Sequence, residues 1–280
     1  MRTRSGFTLV ELLVAIVILT VVAGATIGLL ANTQRVTHTQ AARASLQQSV
    51  RTSASLLPAE LRELAASGRG ADLLVLASDS ITYRAMRGLA VVCAVSPTEL
   101  RVRAGPGWRF GYRQPAPGRD SLLLFVDHDP AAAADDRWLP LALSSVAPSR
   151  CGAEPALALR VALDTIAAPL AAIPVGAPVR LFEVMQLRLY SSAGSWWLGA
   201  RSVSAGETLQ PLLGPLLPGG FALTYLDSAG TRTTSADRVR SIELTVRGTS
   251  DSVRVAGGTG VVALQDSLVT TIRLRNVPGS

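Results

Sequence analysis

The sequence predicts an α+β protein in which one long N-terminal hydrophobic helix packs on a C-terminal body of antiparallel β-sheets, two of them. Three observations carry that expectation. Residues 12–34 hold no charge and are mostly aliphatic. An apolar stripe at helical spacing follows them as far as Leu64. From Asp72 onward, short β-like runs alternate with glycine, proline and Ser/Asp clusters.

The 280-residue chain is 48% hydrophobic and 17% charged, which supplies a sizeable core and argues against wholesale disorder. Its 27 Lys+Arg positions are all arginine, and the formal net charge is +7. The arginines are scattered, with no block of five or more. They read as surface pairing and compositional bias, and direct DNA binding is not expected. Two cysteines and two histidines exclude a cysteine-stapled scaffold, a four-Cys zinc site and most histidine-rich metal centres.

The first element is a membrane span. About 20 helical residues at 1.5 Å each cross a hydrocarbon core, so residues 12–34 suffice. The run is too long for the h-region of a cleaved secretory signal, which needs about 7–15 residues, and NTQRVTHTQ after it offers no small-residue cleavage site. Arg2 and Arg4 precede the run and Arg35 is the first charge beyond it, so the N-terminus is expected in the cytoplasm and the body exported. Three residues exceed what an anchor needs: Gly6 at the boundary, Phe7 directly after it, and the carboxylate of Glu11 inside the apolar stretch. A carboxylate there costs several kcal/mol unless it is paired or snorkels to water, so Glu11 asks for a partner.

Residues 6–16, GFTLVELLVAI, resemble the class III signal of type IV prepilins and type II secretion pseudopilins. The resemblance implies cleavage of the Gly6–Phe7 bond by a prepilin peptidase and methylation of the new amine on Phe7. It also implies that Glu11 pairs with the N-terminal amine of a neighbouring subunit during assembly. The physics is consistent, because cleavage creates a cation in the membrane where a buried anion needs one. The expected organisation is a leader over 1–6, a transmembrane and assembly helix over 7–67, and a β-rich exported domain over 72–280. Loss of Arg2 and Arg4 lowers the formal charge from +7 to +5. Gly24 and Gly28 form a G-x-x-x-G that could permit close helix approach or let the helix loosen locally, although glycine is common in such spans.

The helix continues through an amphipathic stripe of Leu46, Val50, Ala54, Leu57, Leu61 and Leu64, with a kink or a short break at Pro58, and Gly68 and Gly70 end it. Strands are expected over 72–77, 80–86, 89–95, 99–103, 121–126, 156–163, 179–190, 195–203, 220–227, 238–248 and 266–275. Residues 104–120 and 127–150, rich in Pro, Gly and Ala, read as loops, and SSAGS near 191–195 and DSAG at 227–230 read as hairpin turns. This body is longer than a small pilin needs and resembles PilW-like minor pilins and the J-type minor pseudopilin of type II secretion. The closing runs VRSIELTVRG and DSLVTTIRLRN are similar to the last strands of PilW-like chains. The partners so implied are a prepilin peptidase, major and other minor pilins or pseudopilins, an inner-membrane assembly platform and inner-membrane lipid. No cofactor is implied.

Other constellations carry less. Cys93 and Cys151 face an oxidising compartment in an exported body, which favours a disulfide over two separate buried thiols. The run Asp127-His128-Asp129, with Asp135 and Asp136 nearby, offers oxygen ligands but lacks the alternation and glycine of an EF-hand, so it reads as a solvated loop. Trp196 and Trp197 read as one inward and one partly exposed strand residue. With no G-x-S-x-G elbow, Walker A loop, H-E-x-x-H or C-x-x-C, an enzyme is not expected. The rival of another class is a single-pass membrane-anchored binding protein that is never cut, and an anchored periplasmic enzyme stands behind it.

Overall fold

A computed structural model of the chain describes residues 8–66, 71–104, 110–111, 113–127, 129, 131–132, 136–162, 172–254 and 260–275. The one long helix among the described residues, α1 (Leu9–Arg62), has 54 residues. Threonines in its apolar part return their hydroxyls to the preceding turn, as Thr26 does to the Val22 carbonyl (2.8 Å) and Thr33 to that of Leu29 (2.9 Å). They therefore present no unsatisfied donor on an apolar surface. Leu46, Val50, Ser53, Leu57 and Leu61 are buried, at spacings of 4, 3, 4 and 4. The inward position is thus Ser53 rather than the expected Ala54, and Ser53 is tolerated because its hydroxyl bonds the Val50 carbonyl at 2.5 Å. The helix runs through Pro58, and no second helical piece begins there. Gly68 and Gly70, expected to end it, lie outside the described residues.

Thirteen strands follow among the described residues, all paired antiparallel: β1 (Leu73–Leu76), β2 (Ser80–Ser96), β3 (Glu99–Arg103), β4 (Phe110–Gly111), β5 (Asp120–Val126), β6 (Arg137–Ala142), β7 (Ser145–Cys151), β8 (Glu154–Arg160), β9 (Pro178–Ser192), β10 (Ser195–Ser202), β11 (Gln210–Leu226), β12 (Ser241–Arg254) and β13 (Val261–Arg273). The main hydrogen-bonded path is β13-β12-β11-β10-β9-β2-β3-β8-β7. The two expected sheets are joined because β2 changes partner along its length. It pairs with β9 from Ser80↔Arg188 to Val91↔Pro178, then with β3 from Val92↔Val102 to Ser96↔Glu99. Two apolar cores result. One gathers the last turns of α1 (Leu57, Leu61) with Ile81, Leu198, Phe221 and Leu244; the other gathers Val92, Leu100, Leu122, Leu124, Leu159 and Val179.

Several expected boundaries shift. The runs 80–86 and 89–95 form the single strand β2, because Arg87 is the extra residue of an irregularity in the β2–β9 register and Gly88 pairs with Leu181 instead of making a turn. The segments 104–120 and 127–150, expected as loops, contain β4, β6 and β7. Their prolines misled: Pro140 lies on β6, which pairs only with β5, and Pro148 on β7, at the end of the sheet path, and edge strands tolerate a missing N–H. β11 begins ten residues earlier than expected, and Pro211, Pro215 and Pro218 all lie within it. The first expected hairpin turn forms, whereas the second turns the chain only into an isolated bridge between Leu226 and Arg232, well ahead of β12. Ala193 (φ 49°) and Gly194 (φ 78°) make a two-residue turn between β9 and β10. Asp227 accepts from the N–H groups of Ala229 and Thr231, both at 2.9 Å, and so closes the other.

Candidate functional site

The helix start concentrates the unusual chemistry. Thr8 precedes the first helical residue, and its hydroxyl accepts from the Glu11 N–H at 3.3 Å. In return the Glu11 carboxylate accepts from the Thr8 N–H (3.3 Å) and Thr8 Oγ1 (3.4 Å). This is a reciprocal capping box, in which a threonine and a glutamate three residues apart satisfy donors that a helix start leaves open. The T-x-x-E spacing ahead of an apolar run signals it, a signal the membrane reading of Glu11 passed over. Around Glu11 every side chain from Leu9 to Leu30 is exposed, including Leu9 at 77% and Leu13 at 56%. The helix has a mean hydropathy of 2.7 over its most apolar 18 residues and is long and apolar enough to cross a membrane. Exposed apolar surface on this scale needs lipid or other helices to cover it. Among the described residues Glu11 has no cationic partner. Gly6 and Phe7 lie outside them.

A second carboxylate group sits in the body, and no motif announced it. The β5–β9 register places Asp120 directly opposite Glu183, two buried acids facing each other. Such a pair is unfavourable unless cations intervene. Arg113 supplies one, bonding Asp120 at 2.5 and 2.7 Å and Glu183 at 3.2 Å. Arg87 on β2 donates to Glu183 at 3.0 Å, and Arg119 at 2.5 Å. Arg119 also bonds Glu207, whose carboxylate accepts from the Ser202 N–H. Burial pushes the Glu183 carboxyl up, but hydrogen bonds from Ser202, Arg87 and Arg119 outweigh it and hold the group at about 2. The cluster pins residues 113–119 and the turn after β10 onto the sheet. It has no nucleophile paired with a base, and its charges are mutually satisfied, so it reads as structure rather than catalysis.

Asp72 clasps the end of α1. Its backbone N–H donates to the Ala65 carbonyl at 2.6 Å, and its Oδ2 accepts from the Ala65 N–H (2.8 Å) and from Arg180 (2.9 Å). The other oxygen, Oδ1, is buried without a hydrogen-bond partner among the described residues. Burial raises this carboxyl above its ordinary range, with Arg180 opposing. Cys93 and Cys151 come together with Cα atoms 6.0 Å apart, within the span a disulfide bridges. Cys93 is the extra residue of an irregularity between Val92↔Val102 and Ala94↔Arg101, and such bulges re-aim a side chain. In the acidic stretch, His128 and Asp135 lie outside the described residues. Among those described, no three His, Cys, Asp or Glu side chains group to hold a metal ion. Trp196 is partly buried against the helix-side core, while a Cβ on Gly214 would run into the ring of Trp197.

Residues 1–27 match the family model described as the prokaryotic N-terminal methylation motif. No curated protein and no solved structure matches the chain. The motif and the long apolar helix that starts within it support a type IV pilin-like protein, anchored in a membrane and processed for pilus-type assembly. A pilin of this type is structural, and no feature described above requires an enzyme.

Proposed function

We propose that the chain is a minor pilin or pseudopilin of the PilW-like kind, cut at Gly6–Phe7 and incorporated near the tip of a type IV pilus-like filament, where it serves initiation. The observation that carries the reading is the apolar start of α1, exposed from Leu9 to Leu30 and bearing the single capped carboxylate of Glu11 inside the matched motif. In a bundle of such helices the Thr8–Glu11 cap can exchange for a charge pair between Glu11 and the new amine of a neighbour. The size of the body supports a tip position, since a large head packs poorly in a repeating shaft.

The test is the mass of the membrane-bound chain and of its N-terminal peptide, with and without an active prepilin peptidase. The expected product begins at methylated Phe7. Because the chain has no lysine, an amine-reactive tag reports on the N-terminus alone. A chain still beginning at Met1 or Arg2 beside an active peptidase overturns the reading in favour of an uncleaved anchored protein.

A further inference from the structure

We infer that the C-terminal stretch of β13, from Ser267 to Arg273, is a docking edge that takes up an extended strand from another polypeptide. The open edges of the sheet are not alike. β1 and β4 have 4 and 2 residues, while β6 and β7 are short and each carries a proline. These are the devices by which natural sheets blunt an edge. β13 is 13 residues long, lacks proline and glycine, and pairs only with β12 among the described residues.

Two backbone hydrogen bonds fix which way its main chain points. The Leu274 N–H donates to the Arg240 carbonyl (3.1 Å), just ahead of β12. The Arg275 N–H points the other way and donates to the Arg62 carbonyl at the end of α1 (2.9 Å), which closes the edge there. By the alternation of an extended strand, the N–H and C=O groups of Val269, Thr271 and Arg273 face outward with Arg275, and Thr270 and Ile272 face β12. Side chains follow the same parity. Ile272 and Leu274 are buried, while Ser267, Val269, Thr271, Arg273 and Arg275 are exposed.

The charge along this edge selects its occupant. Ser267, Val269 and Thr271 are uncharged, whereas Arg273, Arg275 and Arg62 gather at one end with no carboxylate partner among the described residues. The matching segment is an extended run of β-branched residues that begins with a carboxylate and lies antiparallel, so that the acid meets Arg273. Main-chain pairing supplies the affinity and the acidic end sets the register. The inference does not depend on cleavage at Gly6–Phe7.

The probe is a fluorescent peptide in which aspartate precedes alternating threonine and valine, added to the full-length chain in detergent. It is expected to bind and to slow amide hydrogen exchange in the peptide covering 267–275. Val269→Pro removes an outward N–H while leaving the β12 ladder whole, and is expected to weaken binding about tenfold. Arg273→Glu is expected to reject the aspartate peptide and accept one with lysine in its place, a swap that a misfolded variant would not show. No added protection over 267–275, or Val269→Pro binding like the parent, overturns the inference. Protection that grows with protein concentration in the absence of peptide overturns it too, by making a second copy of the chain the occupant.

Discussion

Glu11 and Glu183 are both carboxylates set in apolar runs, and the chain treats them in opposite ways. Glu183 is 4% exposed and is bonded by three arginines brought from β2 and from the segment before β5. Glu11 stands on the uncovered apolar start of α1, where its only hydrogen bonds among the described residues go back to Thr8. A buried charge whose cations come from the same chain belongs to the fold. On the proposed function, a charge left among apolar side chains with nothing stronger than its own helix cap takes its counter-charge from a neighbouring subunit.

Mutations can break this contrast from either side. The largest effect expected is on assembly: Glu11→Ala, still cleaved normally, should lower filament incorporation by about tenfold or more, since a bundle of apolar helices then lacks its charge pair. Its effect on the isolated chain should be no more than the loss of a cap, about 1 kcal/mol in chemical unfolding. Glu183→Ala should show the reverse, with a loss of about 3–5 kcal/mol in unfolding and normal cleavage, because it strands half-buried arginines. Normal assembly by the Glu11 variant, or a Glu183 variant as stable as the parent, would erase the distinction.

Next in size is the cysteine pair. Peptide mapping of the membrane-bound protein is expected to recover Cys93 linked to Cys151, and replacing both by serine should cost about 4 kcal/mol in the chain-entropy account. The smallest effect is on pH dependence. Glu183 has a folded value of about 2 against an ordinary 4.5, so its contribution is complete above about pH 4.5 and is lost as pH falls toward 2. Asp72 is raised, so its contribution has the opposite sign: it is present below its ordinary 3.8 and lost as pH rises from there through the higher folded value. Glu183→Gln should therefore flatten the acid limb of an unfolding profile, and Asp72→Asn should steepen it slightly.

Much of the fold was legible because its elements obey local rules. β3 falls at the expected 99–103, between turn residues, and the helix stripe holds at Leu46, Val50, Leu57 and Leu61. What escaped depends on position in the sheet, which a linear reading does not contain. Pro140 and Pro148 look like loop residues until β6 and β7 are known to be edges. The arginine cluster was half visible: Glu183 interrupts the apolar run LFEVM as Glu11 interrupts LVELL, and the argument made for one applied equally to the other. Its partners were out of reach, because Arg87 lies 96 residues away and Arg113 lies 70 away. At the helix start, T-x-x-E was readable and was hidden only by a stronger explanation for the same glutamate.

The partner exchange along β2 bears on how this body comes apart. One strand lines both cores, and β9 does the same, with Val179 and Leu181 in one and Leu187 and Leu189 in the other. Neither core can melt while the other keeps its walls, so the two should be lost in one cooperative step. A body built this way offers, among the described residues, no seam at which one core opens to a protease while the other stays closed.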